Sequence, residues 1–241
     1  ITLDIGLEPV TIEIENAEVV GARTQNTESA DLGRIDVSIE TIKSLPALMG
    51  EVDILKTIQL LPGIQSAGEG NSGFYVRGGG PDQNLVLLDN ATVYNASHLF
   101  GFFSVFNADA IKNVDVHKGA IPARYGGRIS SVLDIGLRDG NRKDYEFSGG
   151  IGLISSRFTA EGPIIKDKSS FILSSRRTYI DILTRPFIKN LPAAGSGYYF
   201  YDLNAKFNHR FNEKDEVFLS GYFGRDVFTF QNSNMGFGTD I

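Results

Sequence analysis

The period of hydrophobic and polar positions changes near residue 140. Before it, LMGEVDILKTIQLLPG has apolar residues at helical spacing, ADAIK after Asn107 predicts a helix start, and NVDVHKG alternates like a strand. After residue 140 no helix signal remains, and apolar and polar residues alternate over long segments. The pattern predicts a small α+β unit over residues 34–138, followed by antiparallel strands over residues 139–241.

The segment YYFYDLNAKFNHRF is the clearest of these strands. Its odd positions from Tyr199 to Phe211 are mostly apolar, and its even positions from Asp202 to Arg210 are polar. Such a strand is longer than the roughly five or six residues usual in soluble sheets, and it suits a tilted membrane strand of ~10 residues with extensions. A soluble antiparallel sandwich is the alternative, and strand length is the main argument against it.

Parity breaks and charged runs predict the connections between the strands. Apolar residues lie at odd positions over 145–153 and at even positions over 158–160, which predicts a hairpin near residues 154–157. IKDK and NEKD predict short turns, and TRPFIKNLPAAGSG predicts a longer loop. About five strands cannot close a barrel, since small barrels have ~8. We therefore expect the sequence to be part of a longer protein.

The first residues predict an incomplete β unit and a linker. Val10, Ile12 and Ile14 alternate with polar residues, which indicates a half-buried strand that has no partner nearby. We expect residues 1–16 to end a preceding β domain. Residues 17–33 contain TQNTESADLG, whose polar, turn-rich composition indicates a linker.

Composition excludes several classes of function. The net charge of −6 and the absence of basic runs argue against a nucleic-acid partner. The sequence has no cysteine and only three histidines without paired spacing, so we expect neither a metal site nor a cofactor. No combination of nucleophile, base and orienting residue stands out, so we do not expect an enzyme.

The glycine cluster in YVRGGGPDQNLVLLDN allows two interpretations. Three glycines beside Arg77 could cradle a phosphate, or they could form a tight turn. A phosphate cradle needs a helix N-terminus after the glycines, which would favour a soluble enzyme or phosphate binder. Here PDQNLVLLD leads into a strand instead, which favours the turn.

Two longer segments resemble the plug domain of TonB-dependent outer-membrane transporters. FYVRGGGPDQNLVLLDNATVY resembles its arginine-glycine motif, with Asp89-Asn90 where the family usually has Asp-Gly, and Asn tolerates the positive φ of such a turn. NADAIKNVDVHKGAIPARYGGRISSVLDI resembles the later segment with an Ala-Arg-Tyr-Gly turn and the last plug strand. The matches span residues 41–135 in order. SHLFGFFSVFN and the N-terminal tail resemble the Bacteroidota branch, in which a carboxypeptidase-regulatory-like domain precedes the plug.

The resemblance implies a fold, a location and a function. It implies an α+β plug domain followed by antiparallel transmembrane β-barrel strands, here an incomplete part of a 22-stranded barrel in the outer membrane, with the N-terminus in the periplasm. The implied function is active uptake of an unknown substrate, energised by TonB. The implied partners are TonB, outer-membrane lipid, and a surface lipoprotein or other outer-membrane subunit. A non-transporting structural or assembly subunit with the same fold is the alternative.

The resemblance also implies roles for residues outside the strands. Glu18, Val19 and Val20 fall where the TonB box lies, although they could simply finish the preceding strand. An extended segment there could add as a strand to a TonB sheet. Arg77 and Arg124 fall where the family has plug arginines that face the barrel wall, with solvation in the lumen as the alternative.

The aromatic stretch after the Asp-Asn turn supplies candidates for substrate contact. Tyr94, Asn95 and His98 follow a turn and have polar tips, so we expect them to face the substrate. A lone histidine such as His98 is more often a satisfied polar residue than a ligand. We expect the neighbouring phenylalanines to pack inside the plug; they are Phe100, Phe102, Phe103 and Phe106.

Overall fold

The computed structural model describes residues 33–45, 50–68, 72–188, 194–232 and 237–240. The TonB-box candidates Glu18, Val19 and Val20, the β unit predicted over residues 1–16 and nearly all of the linker lie outside the described residues. No helix in the described ranges is long and apolar enough to cross a membrane.

The described residues between 33 and 137 form an α+β unit, which we call the plug. Its main sheet has the strand order β1-β6-β7-β4-β5, in which β4 and β7 are parallel and the other neighbours antiparallel. The elements are β1 (Arg34–Ser38), α1 (Ile39–Ser44), α2 (Ile54–Ile58), β2 (Ile64–Ser66), β3 (Phe74–Val76), β4 (Asn84–Leu88), β5 (Ala91–Thr92), β6 (Ile111–His117) and β7 (Ser131–Leu137).

One contiguous core joins the helices of the plug to its sheet. Apolar side chains of α1 and α2 pack against strands β6 and β7; the buried residues include Ile42, Ile54, Leu55, Ile58, Val114, Leu133 and Ile135. Both helices are short and depend on their N-caps, since isolated helices of this length are unstable. The Ser38 Oγ accepts from the Thr41 N–H, and Asp53 Oδ1 accepts from the Lys56 N–H.

The second part is a meander of long strands, which we call the barrel sheet. Its six strands follow chain order and every neighbouring pair is antiparallel. The elements are β8 (Glu146–Ile151), β9 (Ser155–Ile165), β10 (Ser169–Thr178), α3 (Ile180–Ile188), β11 (Gly197–Arg210), β12 (Glu216–Asn232) and β13 (Phe237–Asp240). The parity break at 154–157 is a hairpin as predicted, and IKDK and NEKD lie at short connections.

The two faces of the barrel sheet differ as period two requires. On β10, Ser170, Ser174 and Arg176 are buried against the plug, whereas Leu173 is exposed on the opposite face. On β12 the exposed face carries large apolar side chains such as Leu219, which is 73% exposed. An apolar outward face and a polar inward face are the pattern of outer-membrane strands.

The helices of the structure differ from the prediction. Asn107 does not start a helix: a turn over 108–110 leads directly into β6, whose Val114 and Val116 favour a strand. Conversely, the predicted loop TRPFIKNLPAAGSG contains most of α3, which holds Pro186 inside it. Among its described residues, the segment predicted to be helical, LMGEVDILKTIQLLPG, contains only α2, which ends before Pro62.

The glycine cluster forms a tight turn, as the strand after it predicted. Arg77 and Gly78 have φ of +48° and +84°, and the Gly79 N–H donates to the Val76 carbonyl over 2.9 Å. These are the dihedral signs of a two-residue hairpin turn. Gly79 meets a separate requirement, because a Cβ there would lie 2.3 Å from the Ser130 Oγ. Consecutive glycines therefore serve different needs, one conformational and one steric.

Candidate functional site at the interface of plug and barrel sheet

Arg176 lies at the centre of the contact between the plug and the barrel sheet. It is 2% exposed and projects from β10 toward the plug. Its Nη1 donates to Glu51 Oε1 over 2.8 Å and its Nη2 donates to the Ser104 carbonyl over 2.8 Å, both in the plug. Its Nε donates to Asp202 Oδ2 on β11 over 2.8 Å. One guanidinium thus connects the plug to two barrel strands.

His98 lies in the same cluster, which corrects the prediction that it faces the substrate. It is 3% exposed, and its ring stacks on Phe200 at 3.6 Å between centroids. Its Nε2 lies 2.9 Å from Asp202 Oδ1, and its Nδ1 lies 3.2 Å from Asp226 Oδ2. Both ring nitrogens are therefore occupied by barrel carboxylates, and His98 is a contact between plug and barrel.

Hydroxyl groups complete the partners of the three carboxylates. Tyr198 Oη donates to Asp226 over 2.6 Å, Tyr222 Oη donates to Asp202 over 3.0 Å, and Ser155 Oγ donates to Glu51 over 2.5 Å. Buried charges are tolerated only when they are paired and hydrogen-bonded in this way. We call Arg176 and the residues grouped around it the Arg176 cluster; it comprises Glu51, His98 and Ser104 of the plug and Arg176, Asp202 and Asp226 of the barrel sheet.

Further polar contacts extend the interface along the sheet. Asn107 Nδ2 donates to Ser174 Oγ over 2.9 Å, and Ser174 shares a 2.8 Å hydrogen bond with Thr159 on β9. Arg157 Nε lies 2.9 Å from Asp109 Oδ2, and its side chain is 36% exposed. The interface is therefore polar beyond the cluster, with pairs that remain partly hydrated.

Lys206 holds the end of the plug to β11. Its Nζ lies 3.3 Å from Asp89 and 3.2 Å from Asp139, and it donates to the Leu137 carbonyl over 3.0 Å. Burial alone would raise the pKa of Asp139, but the Lys206 charge and hydrogen bonds from Lys206 and Asn208 lower that pKa below its usual range. Asp89 belongs to the predicted Asp-Asn turn, so this turn also fixes plug to barrel.

The two predicted plug arginines lie on the plug surface. Arg77 is exposed, and its guanidinium lies beside Gly119. Burial first, and then the Arg77 charge, lowers the pKa of Lys118. Arg124 donates to the Tyr125 hydroxyl over 3.0 Å and lies over its ring. Within the described ranges neither arginine contacts a barrel strand, so their barrel contacts stay predictions.

Tyr94 and Asn95 remain candidates for substrate contact. Tyr94 is 88% exposed and Asn95 is exposed, and both precede His98 in the loop that reaches the barrel. The His98 partners lie at the end of the sheet where α3 connects β10 to β11, and long connections mark the extracellular side. Of the phenylalanines expected to pack, Phe103 and Phe106 are buried, whereas Phe102 is 49% exposed, so that expectation was wrong for Phe102.

The residues that form the centre of the interface, Glu51, Arg176 and Asp202, were not predicted from the sequence. Arg176 and Asp202 carried one available signal, because each is a charged residue at an inward-facing position of a long strand. Glu51 carried no such signal. Their pairing could not be predicted, because it depends on strand register and on how the plug docks. The described residues contain no group of three or more acidic or histidine side chains arranged to hold a metal.

Comparisons with known proteins agree with this architecture. Residues 34–132 match the family model of the TonB-dependent receptor plug domain. The curated protein PirA of Acinetobacter baumannii, described as a probable TonB-dependent siderophore receptor, is 26% identical over 203 residues, which cover 71% of this chain and 26% of PirA. The chain therefore spans about a quarter of the length of that relative.

Solved structures show the same fold at lower identity. The crystal structure of the A. baumannii siderophore receptor PirA superposes with a TM-score of 0.60 at 22% identity, covering 83% of this chain and 32% of that one. The outer-membrane transporter YddB of Escherichia coli gives a TM-score of 0.59 at 15% identity, covering 83% of this chain and 34% of that one. The predicted fold class is confirmed: an α+β plug followed by barrel strands. The Bacteroidota assignment and the domain before the plug stay predictions.

Proposed function

We propose that the whole protein is a TonB-dependent receptor of the outer membrane, which takes up a substrate through a barrel gated by the plug; the match of residues 34–132 to the plug domain of these receptors supports this. Substrate binds the outward end of the plug at Tyr94 and Asn95. TonB engages the segment around Glu18–Val20 from the periplasm and draws part of the plug aside. No covalent chemistry is required of the chain.

The polar contact between plug and barrel is the observation that carries this proposal. Glu51 and Arg176 form a buried, fully hydrogen-bonded pair, and the rest of the interface consists of hydroxyls, amides and partly hydrated ions. Such an interface fixes orientation while adding little net stability, since each ion must be desolvated to form it. A gate has to be held in this manner, because it must also be released.

A cross-link between plug and barrel tests whether the plug moves during uptake. Asn107 and Ser174 are hydrogen-bonded across the interface, so a disulfide between cysteines at these two positions, verified by loss of free-thiol labelling, would tie β10 to the plug. The chain has no cysteine of its own to interfere. In cells, we expect the oxidised double variant to stop uptake and a reductant to restore it, while N107C and S174C alone behave as wild type. Full uptake by the cross-linked protein would refute gating by this part of the plug.

The substrate can be sought without assuming its identity. Mass spectrometry of spent medium would compare cells with the receptor, without it, and without TonB. Because PirA is described as a siderophore receptor, we would begin under iron limitation. We expect one class of compounds whose depletion requires both proteins, and we expect Tyr94→Ala to weaken that depletion without loosening the plug. Equal depletion in all strains would refute uptake.

Deletion of residues 18–20 separates transport from the alternative role. A transporter loses substrate depletion when TonB cannot engage it. A structural or assembly subunit keeps its function without that segment, since it needs only the fold. A surface lipoprotein partner stays a prediction from the resemblance.

A further inference from the structure

Three side chains form a row across the outward face of the barrel sheet. In the strand register Arg177 on β10 lies opposite Tyr201 on β11, and Tyr201 lies opposite Arg225 on β12. Arg177 and Arg225 are both exposed. Arg176, one residue earlier on β10, is buried against the plug, so Arg177 faces the opposite side of the strand. The row therefore projects away from the lumen.

The row marks the extracellular edge of the apolar band. Along β12, Val217 and Arg225 are separated by about 26 Å, at about 3.3 Å per residue, which a strand tilt of about 40° reduces to roughly 20 Å of height. The outward positions between them include Leu219 and Phe223. An arginine on the lipid face costs about 2–4 kcal/mol at the midplane and little near the interface. Two arginines in one row thus place that row among lipid headgroups, on the side of α3.

A depression of about 870 Å³ opens beside the row on the same face. Small residues at Gly149, Ser156 and Ser175 leave the space, and larger apolar side chains border it. The outward lining residues are Gly149, Ile151, Ser156, Phe158, Ser175, Arg177, Tyr201, Leu203 and Phe223. Its apolar border on the outward face suits an acyl chain, with Arg177 and Tyr201 at the headgroup end.

The charges in the row lack carboxylate partners within the part of the chain that the structure describes. The lumenal arginines Arg157 and Arg176 each pair with a carboxylate. Arg177 instead lies over the Tyr199 ring at 4.9 Å, and no ion pair is formed by Arg225. Guanidinium groups bind phosphate oxygens in bidentate geometry. Adjacent strands are about 4.8 Å apart, so the two arginines lie about 10 Å apart and suit a headgroup with more than one phosphate.

We propose that the outward face of β9 to β12 binds one phosphorylated glycolipid of the outer leaflet. Its phosphates contact Arg177 and Arg225, and one acyl chain occupies the depression over Ser175. The site rests on the placement of the barrel in the outer membrane, and it is independent of whether the protein transports anything.

Native mass spectrometry of the full-length receptor in detergent tests the site. The probes are purified short-core lipopolysaccharide, the same lipid after enzymatic removal of its phosphates, and phosphatidylglycerol. We expect one intact lipopolysaccharide per receptor, and at least a tenfold loss of occupancy in R177Q/R225Q. On the wild type, the occupancy by dephosphorylated lipid and by phosphatidylglycerol should be low. Each should be no higher than the occupancy by intact lipopolysaccharide on R177Q/R225Q.

Two further variants separate the headgroup contact from general charge and from the acyl contact. Arg185→Gln removes an exposed positive charge from α3, on the same side of the membrane but outside the row, and should leave occupancy unchanged. Ser175→Phe fills the depression and should reduce occupancy while keeping both arginines. Heat-modifiable migration on unboiled gels confirms that each variant is folded. Equal occupancy in the wild type and R177Q/R225Q, or equal binding of the dephosphorylated lipid, would overturn the site.

Discussion

Replacing Arg176 by methionine should loosen the plug more than any other single change at its interface. Methionine keeps most of the length of the side chain but leaves Glu51 and Asp202 buried without their cation. Removing one partner of a buried ion pair costs about 3–5 kcal/mol. At about 1.4 kcal/mol per factor of ten, the plug should open roughly one hundred to a few thousand times more often.

Hydrogen exchange of the full-length receptor measures that opening directly. Amides in residues 50–58 and 98–107 carry the plug side of the Arg176 cluster, so their exchange should accelerate by the factor above. Arg157→Gln is the matched control, because Arg157 lies directly opposite Arg176 in register and pairs with Asp109 while partly hydrated. Its loss should cost at most about 1 kcal/mol. Equal exchange in the two variants would refute the central role of Arg176.

A third variant separates the loss of an attractive contact from the exposure of uncompensated charge. Combining Arg176→Met with Glu51→Gln and Asp202→Asn also removes the two carboxylates that the loss of Arg176 leaves without a cation. Whole buried ion sets are often replaced by neutral groups at little cost. The triple variant should therefore exchange more slowly than Arg176→Met alone, and faster exchange would contradict this explanation.

Two glycines give further predictions from close approach. Gly79→Ala would place a Cβ 2.3 Å from the Ser130 Oγ, and overpacking of this kind costs about 1–3 kcal/mol. Hydrogen exchange of the plug amides should therefore accelerate. Unchanged hydrogen exchange would mean that Ser130 moves aside freely. Gly140→Val would place a Cβ 1.9 Å from the Phe171 carbonyl oxygen, which is backbone and cannot rotate away, so the heat-modifiable folded band should be lost. Gly126→Val is the control and should fold normally, because no atom lies within 4 Å of its Cβ. A folded band for Gly140→Val would show that the segment between β7 and β8 can shift.

The strands were predictable because their signal is local. The parity break before Phe158 located a hairpin. The Asp89-Asn90 turn was implied by the resemblance to the plug family, and the structure shows the positive φ that such a turn needs, at +46° and +69°. α3 was missed because Pro186 and the nearby glycines indicated a loop. The helix predicted at Asn107 failed because the β-branched residues after it pair in the plug sheet.

The site was harder to predict because its contacts are long-range. His98 looked like a ligand group by its position after a turn, yet its surroundings come from Asp202 and Asp226, more than a hundred residues away. Only the strand register brings Arg176 beside Asp202, and only docking of the plug brings Glu51 to Arg176. No local pattern in the sequence contains that information.

The composition of the Arg176 cluster suits the removable plug of the proposed uptake mechanism. An apolar seam of the same extent would add about 25 cal/mol for each Å² it buries, and it would bind any apolar surface without regard to register. Glu51 and Arg176 instead recover in mutual attraction most of what they lose in hydration, so their net stabilisation is small. Displacing either one alone is costly, whereas moving both into water together restores their hydration. The interface therefore resists partial shifts of the plug while allowing a concerted release, and under the proposed mechanism TonB would need to supply force only for that concerted step.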